Sequence, residues 1–370
     1  MAESQSSNSP VSLQSDGEIR WNRARKYAEG IGSMPNVFAA AVRLLRTEEQ
    51  SGKSLRPVTK FLVGQAFRGQ KILAMLYYAA RQFKPASLIG RDHITLGELI
   101  GVFEPYDLAV LYGTFLIYRR TLKRSGYNYR EARAVAPHLH AEAQVGGLVG
   151  AAIPRIGIGN ALLAGVVQPL GMSMIAVQDP AGVQEYYQHL QALKQRWDLG
   201  WEVSRFGCTS LQVGGALLSK VGFGKSVVET YLGALDPQLG LGDTADGGQN
   251  AIRYGKLWIE GLIAGQAQPL KSMPGQFYPL VAERNWLNQQ LAAINFDQPA
   301  WIERDGSSIS ETLTPMLFRE DEINKPVPQQ LRDMFTLKEI SDMDDDEFDD
   351  LVDQISDDLI LRDKVSTEQL

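Results

Sequence analysis

From about residue 19 to residue 264, apolar side chains recur at intervals of three and four, the spacing of one buried helix face. In PNVFAAAVRLLR, Pro35 sits where a first helical turn tolerates it, and Val37, Ala41, Leu44 and Leu45 fall on one side. The stretch from Arg56 to Phe83 opens at Pro57 and offers Phe61, Leu62, Ile72, Leu73, Met75 and Leu76 to the interior. ITLGELIGVFEPYDLAVLYGTFLIYRRTLKR predicts two helices divided at Glu104-Pro105, because proline disfavours a helical residue before it. HLHAEAQVGGLVGAAIPRIG predicts a small-residue helix whose Ala and Gly positions admit a close neighbour. ALLAGVVQPLGMSMIAV, from Ala161 to Val177, is the most apolar segment and is expected at the centre of the core. Gln168-Pro169 interrupts it, and it falls short of the roughly 20 apolar residues that a bilayer requires. FGCTSLQVGGALLSKVGFGKSVVETYLGAL predicts a helical hairpin that turns at Gly222-Phe223-Gly224. Nowhere does the chain alternate apolar and polar residues with β-branched enrichment. The expected class is therefore all-α, a multi-helix bundle with a C-terminal extension and an acidic tail.

Outside this pattern the chain changes character. Residues 1–18 are rich in Ser, Gln and Asn, bury too little to offset chain entropy, and are expected to be disordered. The helical domain is expected over 19–264, with a Gly/Asp-rich loop at DPQLGLGDTADGGQ near its edge. Across 265–334, Pro269, Pro274, Pro279, Pro299, Pro315, Pro326 and Pro328 break up long elements, which predicts an irregular and helical extension packed on the domain. Residues 335–370 form the tail. There Phe348, Leu351, Val352, Ile355 and Leu359 fall on one helix face whose other face is aspartate. That pattern fits a solvated tail, and equally a helix that docks into a groove of this chain or of a partner.

Charge sharpens the division. The 370 residues carry a net charge of −6, but residues 335–370 alone hold thirteen acidic and three basic side chains, a balance of −10. The remainder is therefore faintly basic, with no dense Lys/Arg stripe interleaved with aromatics that would mark a nucleic-acid face. Cys208 is the single cysteine, so no internal disulfide forms, and a buried structural thiol is the expectation. The first residues have neither a basic patch nor an apolar run, which predicts a cytoplasmic protein without membrane insertion.

Few motifs carry chemistry. GFGKS at 222–226 lacks the first glycine of a phosphate-binding loop, because position 219 is Ser219, and it follows a helix pattern where that loop follows a strand. The expected reading is a helix–turn–helix corner with Ser226 near the next helix start. His138 and His140 offer two ring nitrogens, but no His-Asp pair, Cys pair or HExxH helix completes a metal set, and the four histidines are read as satisfied or exposed.

Three segments together resemble the HDOD domain, a regulatory branch of the HD phosphohydrolase superfamily. MPNVFAAAVRLLR at 34–46 resembles that family's opening helix. ALLAGVVQPLG at 161–171 resembles the segment that carries the His-Asp dyad in members that bind metal. FGCTSLQVGGALLSKVGFGKSVVETY at 206–231 is similar to "FGxDHAEVGAALLxxWGLPxxIVEAI". The resemblance covers about residues 30–235. It implies an HD/HDOD-like helical fold in which the dyad falls on Gln168-Pro169, a further family histidine falls on Ser210, and His138 or His140 occupies the first-histidine position. Proline offers no ligand atom and an amide is a poor ligand, so the resemblance implies a degenerate site with no metal, no cofactor and no catalytic residue. The function implied is a non-enzymatic, bacterial signal-transduction adaptor that acts through protein partners, in two-component or cyclic-dinucleotide signalling. The alternative is a divergent metal-dependent phosphohydrolase of nucleotides or cyclic dinucleotides, drawing ligands from His138, His140 and Asp179.

Overall fold

The computed structural model describes residues 11–51, 55–67, 70–89, 94–125, 139–236, 247–269 and 271–294. Among them are fourteen α-helices, a few 3-10 turns and no strand, so the protein is all-α. In chain order the helices are α1 (Val11–Ala28), α2 (Asn36–Ser51), α3 (Pro57–Phe67), α4 (Gln70–Phe83), α5 (Leu96–Val102), α6 (Pro105–Ser125) and α7 (Leu139–Ala152). They continue as α8 (Ile158–Gln178), α9 (Pro180–Leu193), α10 (Leu199–Phe206), α11 (Ser210–Lys220), α12 (Lys225–Leu235), α13 (Gly247–Ile263) and α14 (Val281–Ala292).

The most apolar segment becomes the axis of the fold. α8 is long and apolar enough to cross a membrane by length and composition, but 89% of that window is buried inside the protein. α6, α7, α11 and α13 all pack on it. Its neighbours approach at backbone distance. A Cβ on Gly165 would lie 2.5 Å from the Glu142 carbonyl oxygen of α7, and one on Gly214 would lie 2.7 Å from the Val167 carbonyl oxygen across the α8–α11 contact. Small residues on α7, α8 and α11 thus bring the backbones close, as expected for the α7 segment, where a Cβ on Gly146 would lie 2.8 Å from the Ala161 carbonyl oxygen.

Capping side chains punctuate the chain. Thr95 with Glu98 and Thr209 with Gln212 form reciprocal capping boxes at the starts of α5 and α11. Asp179 caps α9, with Pro180 in its first turn, and Asp198 caps α10. Gly157 opens α8 without a side-chain cap; instead Asp107 reaches across from α6 and accepts from the Gly159 N–H at 2.7 Å. Burial pushes the Asp107 carboxyl up to about 6. The α5–α6 break falls at Glu104-Pro105 as expected, with the two helix axes bent by 107°.

Several expectations need correction. α1 starts at Val11, inside the 1–18 segment read as disordered. Ala24 and Tyr27 are buried, Trp21 is partly so, and α1 packs on α11, which stabilises the helix from its C-terminal half. Val37 is 37% exposed, and Val42 takes its place beside Ala41 and Leu45 on the buried face of α2. Gln168-Pro169 does not divide the apolar segment, because α8 runs through Pro169. The ring removes one backbone donor, at a cost that burial on every side of α8 outweighs. Cys208 is buried as expected, and burial holds its thiol up at about 12.

Candidate functional site

The positions singled out by the sequence converge, in part, midway along α8. Gln168 and Ser210 are buried on facing helices, and the Gln168 Nε2 donates to the Ser210 Oγ at 3.4 Å. Pro169 is buried beside them in α8. His140 lies in the first turn of α7; His138 and the tail residues Phe348, Leu351, Val352, Ile355 and Leu359 lie outside the described residues. Asp179 is committed elsewhere: it caps α9 through the Gly182 N–H and pairs with Arg205 at 3.0 Å.

Ser210 leads to a buried carboxylate. Glu202 of α10 is fully buried and accepts three hydrogen bonds: from the Ser210 N–H at 2.6 Å, the Ser210 Oγ–H at 3.1 Å and the Tyr186 hydroxyl at 2.7 Å. Burial pushes its carboxyl up to about 7, against the opposing pull of those three donors. Tyr186 in turn accepts from the Asp198 N–H at 2.8 Å, and Asp198 is 2.9 Å from His189. His189 also stacks on Trp201, so this histidine is satisfied.

A second buried carboxylate is held by cations. Glu142 of α7 is fully buried; its Oε1 meets the Arg196 guanidinium at 2.5 Å and its Oε2 meets the Lys256 ammonium of α13 at 2.8 Å. Lys256 is itself buried and lies 3.8 Å from Glu260 and 5.8 Å from the Trp197 ring centre. The Arg196 Nε and Nη1 atoms are buried without a hydrogen-bond partner. The two carboxylates share neighbours, because the buried Tyr187 and Tyr231 hydroxyls are held well above their ordinary range by burial and by the charge of both.

Beside these networks opens a cleft of about 710 Å³ with Gln168 and Lys256 in its wall. The chain matches no protein-family model, no curated protein and no solved structure.

The described donors do not suit a divalent ion. Gln168 presents its amide N–H to Ser210, Pro169 has no ligand atom, and Ser210 donates to Glu202. Glu142, the carboxylate nearest to being a ligand, already holds two positive side chains. Among the described residues no group of three or more His, Cys, Asp and Glu side chains is placed to hold a metal. Sequence reasoning missed Glu142, Arg196, Lys256, Glu202 and Tyr186. The signal was a charge in the buried phase of an apolar helix: Glu142 in LHAEAQVGG, Glu202 in LGWEVSRF and Lys256 in RYGKLWIEG.

Proposed function

We propose that this protein is a non-enzymatic regulatory adaptor, built on a degenerate HD-type helical domain and acting in the cytoplasm through protein contacts. The observation that carries the reading is the Glu142–Lys256–Arg196 cluster, whose Lys256 lines the same cleft as Gln168. Where a hydrolase of this superfamily would need anionic and imidazole ligands around a cation, this chain supplies its own fixed positive charges. Metal-activated water requires an open coordination position on an ion held by such ligands, and an ammonium offers none. The acidic tail, with Phe348, Leu351, Val352, Ile355 and Leu359 along one face, is the segment we assign to partner contact, and two-component or cyclic-dinucleotide signalling proteins are the partner class that the HDOD resemblance implies.

The test is elemental analysis of the purified full chain, joined to nucleotide and phosphodiester hydrolysis assays with added Mn²⁺ or Mg²⁺. The expected result is no stoichiometric transition metal and no metal-dependent turnover. Metal-dependent hydrolysis that disappears in His140→Ala would overturn the proposal and favour the phosphohydrolase alternative.

A further inference from the structure

The cleft beside the two buried carboxylates combines volume, an apolar wall and uncommitted charge. Its apolar lining comes from Trp197, Leu199, Leu211, Ala234, Leu235 and Leu257, on four different helices and the turn before α10. Its volume of about 710 Å³ falls within the range of roughly 300–1,000 Å³ typical of small-molecule sites.

The charges that line it sort into two groups. Asp198 is held by His189, Glu260 stands 3.8 Å from Lys256, and Asp236 is not free either. Lys256 is spent on Glu142. Arg253 of α13 and Lys271, by contrast, have no partner among the described residues, although both line the cleft. Arg253 is half-buried and Lys271 exposed, so a cation stands part-way down the wall and another at the mouth. The acids of the cleft thus all have contacts within the protein, and Arg253 and Lys271 are the lining cations without one among the described residues.

We infer that this cleft binds a small amphipathic organic anion. Its carboxylate, sulfonate or phosphate head is taken by Arg253 and Lys271 in charge-assisted hydrogen bonds, and its flat apolar body lies against Trp197 and the surrounding leucines. The inference goes beyond the adaptor reading and does not depend on it, because a ligand here needs neither metal nor chemistry.

The test uses the full chain and a fluorescent probe of this class, 1-anilinonaphthalene-8-sulfonate, with its uncharged counterpart N-phenyl-1-naphthylamine beside it. The expected result is one saturable site for the sulfonate. Its affinity falls at least tenfold in the double variant Arg253→Gln/Lys271→Gln and is unchanged in Arg25→Gln, a surface cation of α1 away from the cleft. The uncharged counterpart binds at least tenfold more weakly than the sulfonate and does not respond to the double variant. Both cleft residues reach solvent, so far-ultraviolet circular dichroism of the double variant is expected to match the parent. A second variant, Ala234→Trp, fills the cavity from its apolar side and abolishes saturable binding. Absence of a saturable site on the parent chain, or equal affinity in parent and double variant, overturns the inference; neither result touches the metal and hydrolysis assays on which the adaptor reading stands.

Discussion

Lys256→Met is the most informative single substitution in this fold. It removes the ammonium that lies 2.8 Å from Glu142 and leaves a side chain of similar length to fill the buried space. Glu142 is fully buried, so water does not replace the lost charge. Two unit charges about 4 Å apart attract by about 4 kcal/mol at the effective dielectric constant of roughly 20 that suits protein sites. Removing one partner of a buried ion pair costs about 3–5 kcal/mol, most of it the penalty of an uncompensated charge. Arg196 still meets the other carboxylate oxygen at 2.5 Å, which places the expected loss at the lower end, about 3 kcal/mol. For a domain of this size that lowers the thermal midpoint by about 6–12 °C. The companion is Glu142→Met/Lys256→Met, which removes both charges. If the cost of the single variant arises from the stranded carboxylate, the double variant recovers part of the loss, because it leaves only Arg196, 14% exposed, without its partner. Urea unfolding at pH 7, followed by tryptophan fluorescence, measures all three proteins together with Glu142→Met. A Lys256→Met midpoint equal to the parent, or a double variant that loses the sum of the two singles, refutes the reasoning.

Two further predictions follow from the same interior. The Glu202 and Asp107 carboxyls sit at about 7 and about 6 in the folded protein, above their ordinary values of 4.5 and 3.8. A raised carboxyl means that the folded chain binds more protons than the unfolded one, so this stability is fully present below pH 4 and is lost as pH rises through 6 to 7. For Glu202 the displacement corresponds to about 3 kcal/mol, and Glu202→Gln is expected to flatten that fall in thermal midpoint between pH 5 and pH 7.5; an unchanged pH profile would count against a neutral Glu202. At the α8–α11 contact, Gly214→Ala is expected to cost about 1–3 kcal/mol, since its Cβ would press on the Val167 backbone. Gly101→Ala, in α5 with open space around it, is expected to gain about 0.5–1 kcal/mol; calorimetric midpoints shifted in the same direction by both would refute the close-approach account.

The fold was legible where one physical rule acted alone. Helical spacing, the proline at 105 and the small residues of α7 each point to a local outcome, and the structure follows them. The rule failed where tertiary packing overrode it. Pro169 stays inside a helix because every side of α8 is covered, and α1 extends back to Val11 because Ala24 and Tyr27 anchor it on α11. The site was half legible. The resemblance singled out Gln168, Pro169 and Ser210, and the structure brings Gln168 and Ser210 together, but the charged cluster near them comes from distant segments: Glu142 and Lys256 are 114 residues apart. No local pattern announces such a pair. A charge in the buried phase of a helix says only that a partner exists, not where it lies along the chain.

The placement of these partners bears on how the proposed anion site would admit a ligand. Glu142 joins α7 to α13 and to the turn that carries Arg196; Glu202 joins α10 to α9 and to the start of α11. The walls formed by α10, the start of α11, α13 and the turn before α10 are therefore each tied to a neighbour through a buried carboxylate. To open one of these walls, a ligand must strand a charge or break hydrogen bonds to a buried acid, at about 3 kcal/mol or more for each. That exceeds what a weakly held ligand returns through a single polar contact, about 0.5–1.5 kcal/mol. The cleft accordingly accepts partners that fit its existing shape, and it presents Arg253 and Lys271 to whatever enters. A pocket of this kind with two uncommitted cations selects by shape and charge, which is the selectivity the proposed anion site requires.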